Sequence, residues 1–313
     1  MSGPFAAPAA ALGLQVLQRD WLSANQTLFA ACDAAPATVV DTGHARHAAH
    51  TVALLDHALG GAPLQQVLNT HLHSDHCGGN AALQARWAVQ TRVPAATHAV
   101  AAQWDEDRLS YRAAGQHCPR FAVDGALPPD GQVRLGPATW QVLAAPGHDP
   151  DAVLLFEPQT RTLIAGDALW QDRLAVIFPE LLDQPGFAAT RATLDRIEQL
   201  APRWVIPGHG APFEDVAEAL ARSRSRLAAF EADARRHARH AARALLMFHL
   251  LELGDEDTAV LARWIQTTPL FVAMARQLGA HDLAGWAQGL LAGLCDDGLA
   301  IRVGPRLRPA SQG

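Results

Sequence analysis

The chain has 313 residues, long for one domain and enough for a large domain with a smaller companion, and 49% of its positions are hydrophobic, so a full core can be built. A net charge of −6 speaks against general nucleic-acid or anionic-membrane binding, and no stretch reaches the roughly 20 apolar residues of a membrane span. The cysteines Cys32, Cys77, Cys118 and Cys295 form no C-x-x-C pair, which argues against a thiolate zinc site or a disulfide framework and fits a reducing, cytoplasmic setting.

The N-terminal residues 1–14 are Ala/Pro-rich and lack the basic and apolar regions of a secretory leader. Residues 14–17 and 27–31 read as short strands. Asn25-Gln26-Thr27 matches a glycosylation sequon, which carries no meaning in a cytoplasmic chain. Residues 37–40 form a buried strand that runs into Asp41-Thr42-Gly43, and residues 45–59 have helical composition, closed by Gly60-Gly61. His44, His47, His50 and His57 in that region are expected to be solvated or packed.

Chemistry concentrates in Asn69-Thr70-His71-Leu72-His73-Ser74-Asp75-His76-Cys77-Gly78-Gly79-Asn80. With residues 67–70 as a strand, His71 and His73 point to one side. Asp75 and His76 follow in the turn, and Gly78-Gly79 lets the backbone bend sharply before a helix from Asn80. Imidazole and carboxylate together suit zinc first, with iron or manganese as alternatives. A histidine-rich surface loop is the competing reading, and the order of residues between a strand and a Gly-Gly turn speaks against it. Three further places repeat the same design of strand, glycine and one metal-binding side chain: Pro146-Gly147-His148, Gly166-Asp167 and Pro207-Gly208-His209-Gly210.

Between these motifs, residues 81–88 read as helix and 89–93 as strand. Residues 104–129 form the least regular part, with Trp104, Tyr111, His117 and Cys118, and fit either an active-site lid or a helical hairpin packed on its own domain. Strands are expected at 133–135, 139–143, 152–156, 161–165 and 204–206, with a helix at 190–200. Past residue 213 the pattern turns helical, at 216–236, 238–253, 259–265, 270–278 and 283–294, and closes in a small hairpin over 298–307. Between His281 and Asp297 there is one glutamine, no arginine and three aspartates, a poor composition for a DNA-reading helix. The run Arg222, Arg224, Arg226, Arg235, Arg236, Arg239 and Arg243 is the better anion-binding candidate, but Glu231 and Asp233 interrupt it as in a solvated face.

The ordered set H-x-H-x-D-H, His148, Asp167 and His209 resembles the metallo-β-lactamase-fold hydrolases, in a glyoxalase-II-like or lactonase-like branch, over residues 12–215. The resemblance implies an α/β fold: a four-layer αββα sandwich over 1–215, followed by a small, mainly helical, winged-helix-like domain over 216–313 that ends in a β-hairpin. It implies that His71, His73 and His148 hold one divalent metal ion, that Asp75, His76 and His209 hold the other, and that Asp167 bridges them. A metal-bridging hydroxide would cleave a carboxylic ester, thioester or lactone, with Asp75 passing a proton to the leaving group. Asp41 matches the residue that supports the metal loop from behind, and is also placed to cap the next helix. True β-lactamases of this superfamily place Cys or Ser where Asp167 stands, which sets antibiotic hydrolysis aside. Trp170, Phe178 and Phe187 are candidates to line the pocket mouth, with simple core packing as the competing reading, and Tyr111 is the only tyrosine that could match the pocket tyrosine of lactonases. Alternatives are a mononuclear-iron sulfur dioxygenase and a low-activity metal-binding regulatory protein. The expected partner is a small-molecule substrate, with no nucleic acid or membrane; the C-terminal helices could carry a homodimer contact.

Overall fold

Alternation along short strands, with both faces apolar, dictates the layering. The computed structural model describes residues 5–310; residues 1–4 of the N-terminal stretch and 311–313 of the C-terminal one lie outside the described residues. Strands β1 (Leu14–Leu17), β2 (Gln26–Phe29), β3 (Thr38–Val40), β4 (Gln66–Leu68), β5 (Gln90–Pro94) and β6 (Gly125–Leu127) form one sheet in chain order, antiparallel from β1 to β3 and parallel from β3 to β6. Strands β7 (Gln132–Leu135), β8 (Ala138–Ala144), β9 (Val153–Glu157), β10 (Thr162–Gly166) and β11 (Trp204–Pro207) form the second, in which only β10 and β11 run parallel.

Val40, Leu68, Ile164 and Ile206 point into the core between the sheets, with Trp140 and Leu135. Their chain neighbours point the other way. Val39 and Val67 pack outward with Leu55 and Leu83 of the helices Ala48–Ala58 and Asn80–Arg86. Leu163 and Val205 pack outward with Leu194 and Ile197 of the helix Gly186–Leu200, and with Leu220 of the helix Val216–Ala232. Each such aliphatic side chain contributes roughly 1.5–3 kcal/mol by burial. The result is the expected αββα sandwich.

The loop after β4 departs from expectation in detail. The strand ends at Leu68, not Thr70, because the Thr70 amide leaves the ladder to donate to Asp41 Oδ1 at 2.9 Å. Asp75 and His76 lie in a one-turn helix, Ser74–Cys77. Gly78 and Gly79 have ordinary helical φ of −62° and −81°. They are needed for close approach: a Cβ on Gly78 would lie 2.5 Å from the Ala45 amide nitrogen, and one on Gly79 would lie 2.5 Å from the Thr42 carbonyl oxygen.

The insert packs Trp104, Tyr111, Cys118 and Phe121 beneath the metal loop, against Leu72 and Cys77. Ala114 meets the C-terminal core, so the insert wedges between two bodies of structure. The helices beyond residue 233 are Ala234–Leu253, Thr258–Thr267, Pro269–Leu278 and Leu283–Asp296. Strands β12 (Glu256–Asp257), β13 (Ala300–Val303) and β14 (Arg306–Pro309) make a sheet in the order β12-β14-β13, one strand more than the expected hairpin. Because the helix Val216–Ala232 packs on the second sheet, the apolar contacts divide near Asp233 rather than at residue 215. Four of the seven arginines in the run are drawn into ion pairs: Arg222 with Asp172 and Glu218, Arg224 with Asp195 and Glu198, Arg239 with Asp233, and Arg243 with Asp297. Among the described residues no helix is long and apolar enough to cross a membrane.

Candidate metal centre

Strand ends bring seven side chains to one edge of the sandwich. His71, His73, Asp75 and His76 follow β4, His148 follows β8, Asp167 follows β10 and His209 follows β11. They form two groups, His71/His73/His148 and Asp75/His76/Asp167/His209, and within each group the ligand atoms lie within 4.8 Å of one another. In the first, His73 Nδ1 stands 3.1 Å from His71 Nε2 and 2.8 Å from His148 Nε2. In the second, Asp75 Oδ2 stands 3.1 Å from His209 Nε2 and 3.8 Å from His76 Nε2. Asp167 faces both: Oδ2 lies 3.4 Å from His148 Nε2, and Oδ1 lies 3.3 Å from His76 Nε2.

Ring nitrogens converging at such distances suit a shared cation better than one another. Among the described residues the buried His76 Nε2 has no hydrogen-bond partner, yet it points between Asp75 and Asp167. The donor set of nitrogen and carboxylate oxygen therefore fits divalent metal ions.

Electrostatics separates the two groups. Burial, reinforced by neighbouring imidazoles, pushes His71 well below the usual histidine range and His148 to about 4. Burial likewise brings His73 to about 4, against the pull of Asp75. All three rings are thus held neutral, as ligands must be. Burial also opposes charge on His76, but Asp167, Asp41 and Asp75 outweigh it and raise His76 well above its ordinary value. The carboxylates respond in kind: against burial, His76 and the His209 hydrogen bond bring Asp75 to about 2, while His76 and His209 hold Asp167 well below the carboxylate range.

Support comes from behind. Asp41 sits at a left-handed φ of 59°, strained for a residue with a Cβ. It accepts from the Thr70 amide at 2.9 Å, from Thr70 Oγ1 at 2.8 Å and from His76 Nδ1 at 2.8 Å. The helix-capping role falls to His44, whose ring accepts from the Arg46 amide; His44 is packed, while His47 and His50 contact Ser23 and Arg19. Asn25, read in the sequence only as a sequon, is 4% exposed and donates to Pro207 O at 3.0 Å and Gly210 O at 2.7 Å, which fixes the turn that carries His209. Gly208 is needed there, since a Cβ would lie 2.2 Å from Asp167 Oδ1.

At the mouth, the Phe178 ring lies 4.6 Å from His73 and 5.4 Å from His148. Trp170 lies 5.2 Å from His209 and donates its Nε1–H to Asp167 Oδ1 at 3.1 Å. Sequence reasoning missed Trp21, which covers His209; a lone tryptophan in a loop far from the motifs gives no signal. Tyr111 is a correction. It is buried under the metal loop, and its hydroxyl donates to Leu72 O at 2.8 Å and lies 3.2 Å from Cys77 Sγ, so it faces away from the mouth.

The family model described as the metallo-beta-lactamase superfamily matches residues 19–209. A relative named probable metallo-hydrolase YflN, from Bacillus subtilis (strain 168), is 28% identical over 180 residues, 49% of this chain and 66% of that protein. A hydroxyacylglutathione hydrolase from Methylococcus capsulatus is 32% identical over 107 residues, 34% of each chain. The chain thus spans less than two-thirds of either relative. A crystal structure of a metallo-beta-lactamase family protein from Thermus thermophilus superposes with a TM-score of 0.56 at 20% identity, covering 95% of this chain and 98% of that one.

Proposed function

The chain belongs to the metallo-beta-lactamase superfamily, and from that membership we propose that it is a dinuclear metal-dependent hydrolase of a carboxylic ester, thioester or lactone. The observation that carries the dinuclear reading is Asp167, whose two oxygens address the two ligand groups separately. Two bound divalent ions, zinc first, supply Lewis acidity and lower the pKa of water.

The chain's own residues do the rest. His71, His73 and His148 present neutral nitrogens, and Asp41 orients His76 through its Nδ1. Asp75, kept ionised beside His209, is the group placed to take a proton and return it to a leaving oxygen or sulfur. Trp21, Trp170 and Phe178 flank the two groups with aromatic surface, which suits a substrate with an apolar part next to its scissile carbonyl. The hydroxyacylglutathione hydrolase relative favours a thioester among the three bond types. A carboxylate at position 167, where β-lactamases of this superfamily carry Cys or Ser, argues against β-lactam hydrolysis. We propose a winged-helix-like arrangement for the C-terminal helices and three-stranded sheet, and the ion pairs of Arg239 and Arg243 there support a small-molecule rather than a nucleic-acid partner.

The test is metal content per chain together with turnover of an ester, thioester and lactone panel. Two ions and hydrolysis are expected. One iron with oxygen uptake on a persulfide would replace this reading with a dioxygenase, and full loading without turnover would indicate a regulatory metal-binding protein.

A further inference from the structure

His237 lies on the helix Ala234–Leu253, beyond every ligand in the chain, and is 1% exposed. Its Nε2 accepts the Ile177 N–H at 3.0 Å. Ile177 has φ −98° and ψ 88°, neither helix nor strand, so its amide has no place in a regular hydrogen-bond pattern. A buried amide left unpaired costs as much as a lost hydrogen bond, so this contact holds the backbone in place.

What that backbone does is visible on either side of Ile177. The Val176 carbonyl accepts from His148 Nδ1 at 2.5 Å, and the Phe178 amide donates to the His148 carbonyl at 3.3 Å. One short strap therefore grips His148 by both its ring and its main chain. The strap is fully packed: Ile177 is 0% exposed, and Val176 joins the C-terminal apolar core. The rings of Phe187 and Phe230, 5.4 Å and 5.1 Å from His237, fix the plane of its imidazole. Burial, helped by His240, brings the His237 pKa to about 4, so Nε2 keeps its lone pair at neutral pH.

We infer that His237 is a positioning residue: by holding the Ile177 amide it sets the Val176 carbonyl against His148 Nδ1, and so fixes the tautomer and direction of the Nε2 that faces His73 and Asp167. The C-terminal helices are then part of the centre's support. This rests on the metal-centre reading given above.

The experiment uses the full chain loaded with cobalt(II), which reports ligand geometry through its visible absorption. His237→Leu removes the acceptor; His237→Gln offers a carbonyl that reaches the same amide; Leu291→Ala weakens the C-terminal core while leaving His237 and the strap residues themselves unchanged. The expected result is a roughly tenfold weaker grip on one of two cobalt equivalents, with altered absorption, in His237→Leu alone. Native binding and absorption in folded His237→Leu overturns the proposal, and so does an equal loss in Leu291→Ala or a failure of folded His237→Gln to restore binding. Should His237→Leu not fold, His237→Asn, whose carbonyl is too short to reach, is read by the same criteria. Wild-type protein that takes up no cobalt removes the premise itself, a result distinct from any difference between variants.

Discussion

Trp21 lies flat on the imidazole of His209, with ring centroids 4.0 Å apart and planes 11° from parallel. The indole is 37% exposed, so its other face is open to whatever approaches the centre. Trp170 meets Trp21 edge-on at 5.8 Å. Trp21→Ala is expected to raise KM roughly fivefold for substrates with an apolar acyl group, about 1 kcal/mol of aromatic contact, while kcat changes little. Steady-state kinetics across acyl chain lengths checks this; an unchanged KM throughout would show that the indole does not touch substrate.

Asp167→Asn keeps the volume of the side chain proposed to bridge the two groups and removes its charge. The variant is expected to bind less than the full complement of metal and to lose more than about a hundredfold in activity, since even outer supports of metal sites carry about 10–100-fold. Its circular dichroism should match the wild type. Elemental analysis beside the spectrum decides it: full metal content in a folded variant would sink the bridging role.

Asp41→Asn asks a finer question. The carboxylate accepts from three donors, on Thr70 and His76. An amide offers one acceptor oxygen and turns a donor toward the other side, so either Thr70 or His76 loses its partner. Metal affinity should fall about 10–100-fold. Asparagine tolerates the left-handed backbone that position 41 requires, so the fold should persist. Chelator competition provides the measurement, and an affinity equal to wild type would remove Asp41 from the centre's support.

Acid should destabilise the protein partly through His237. Its pKa is about 4 in the folded chain, against the ordinary histidine value of 6.5 that the unfolded chain shows. Between those values the unfolded chain binds more protons, so stability falls as pH drops from about 6.5 to about 4 and levels off below. The full effect is on the order of 3 kcal/mol. Urea unfolding of metal-free wild type and His237→Gln, compared at several pH values, isolates it. Identical pH dependence in the two proteins would exclude His237 as a source.

Cutting the chain after Asp215 should leave an aggregating fragment. The cut removes Leu220 and Leu227 from the outer layer of the second sheet, and it uncovers Val176, Leu181 and Ala114, which belong to the C-terminal core. Size-exclusion chromatography with a hydrophobic dye tests this; a soluble, dye-silent monomer would show that the two parts are independent.

The sandwich was legible because its inner strands are short apolar runs, buried on both faces, and because strand end and metal-binding side chain recur in one order from His71 to His209. The strands at 37–40 and 67–70 could be read as buried, but that Val40 and Leu68 face the inner core while Val39 and Val67 face the helices comes from the fold. Contacts between distant segments leave no such trace. Asn25 and Trp21 serve the turn and the ring at His209 only because β-sheet topology brings the chain's first loop to its last ligand strand. Tyr111 read as a pocket residue because it sits in an irregular insert, but apolar contacts carry the insert under the metal loop. His237 was hidden among arginines on a helix that looks solvated; only its burial against Ile177 sets it apart. The two residues of β12 are too few to show a period.

The centre takes support from Asn25 and Asp41, ahead of its first ligand, and from His237, behind its last. During synthesis His71, His73 and His76 emerge well before Asp167 and His209, so the early chain offers a loose imidazole cluster to any passing cation. The strap behind His148 takes its hold from a helix that follows every ligand in the chain. On the proposed dinuclear reading, choice of ion is expected to belong to the finished protein, where shape and donor set can discriminate, rather than to the nascent loop, where the intrinsic affinity order of free metals would prevail.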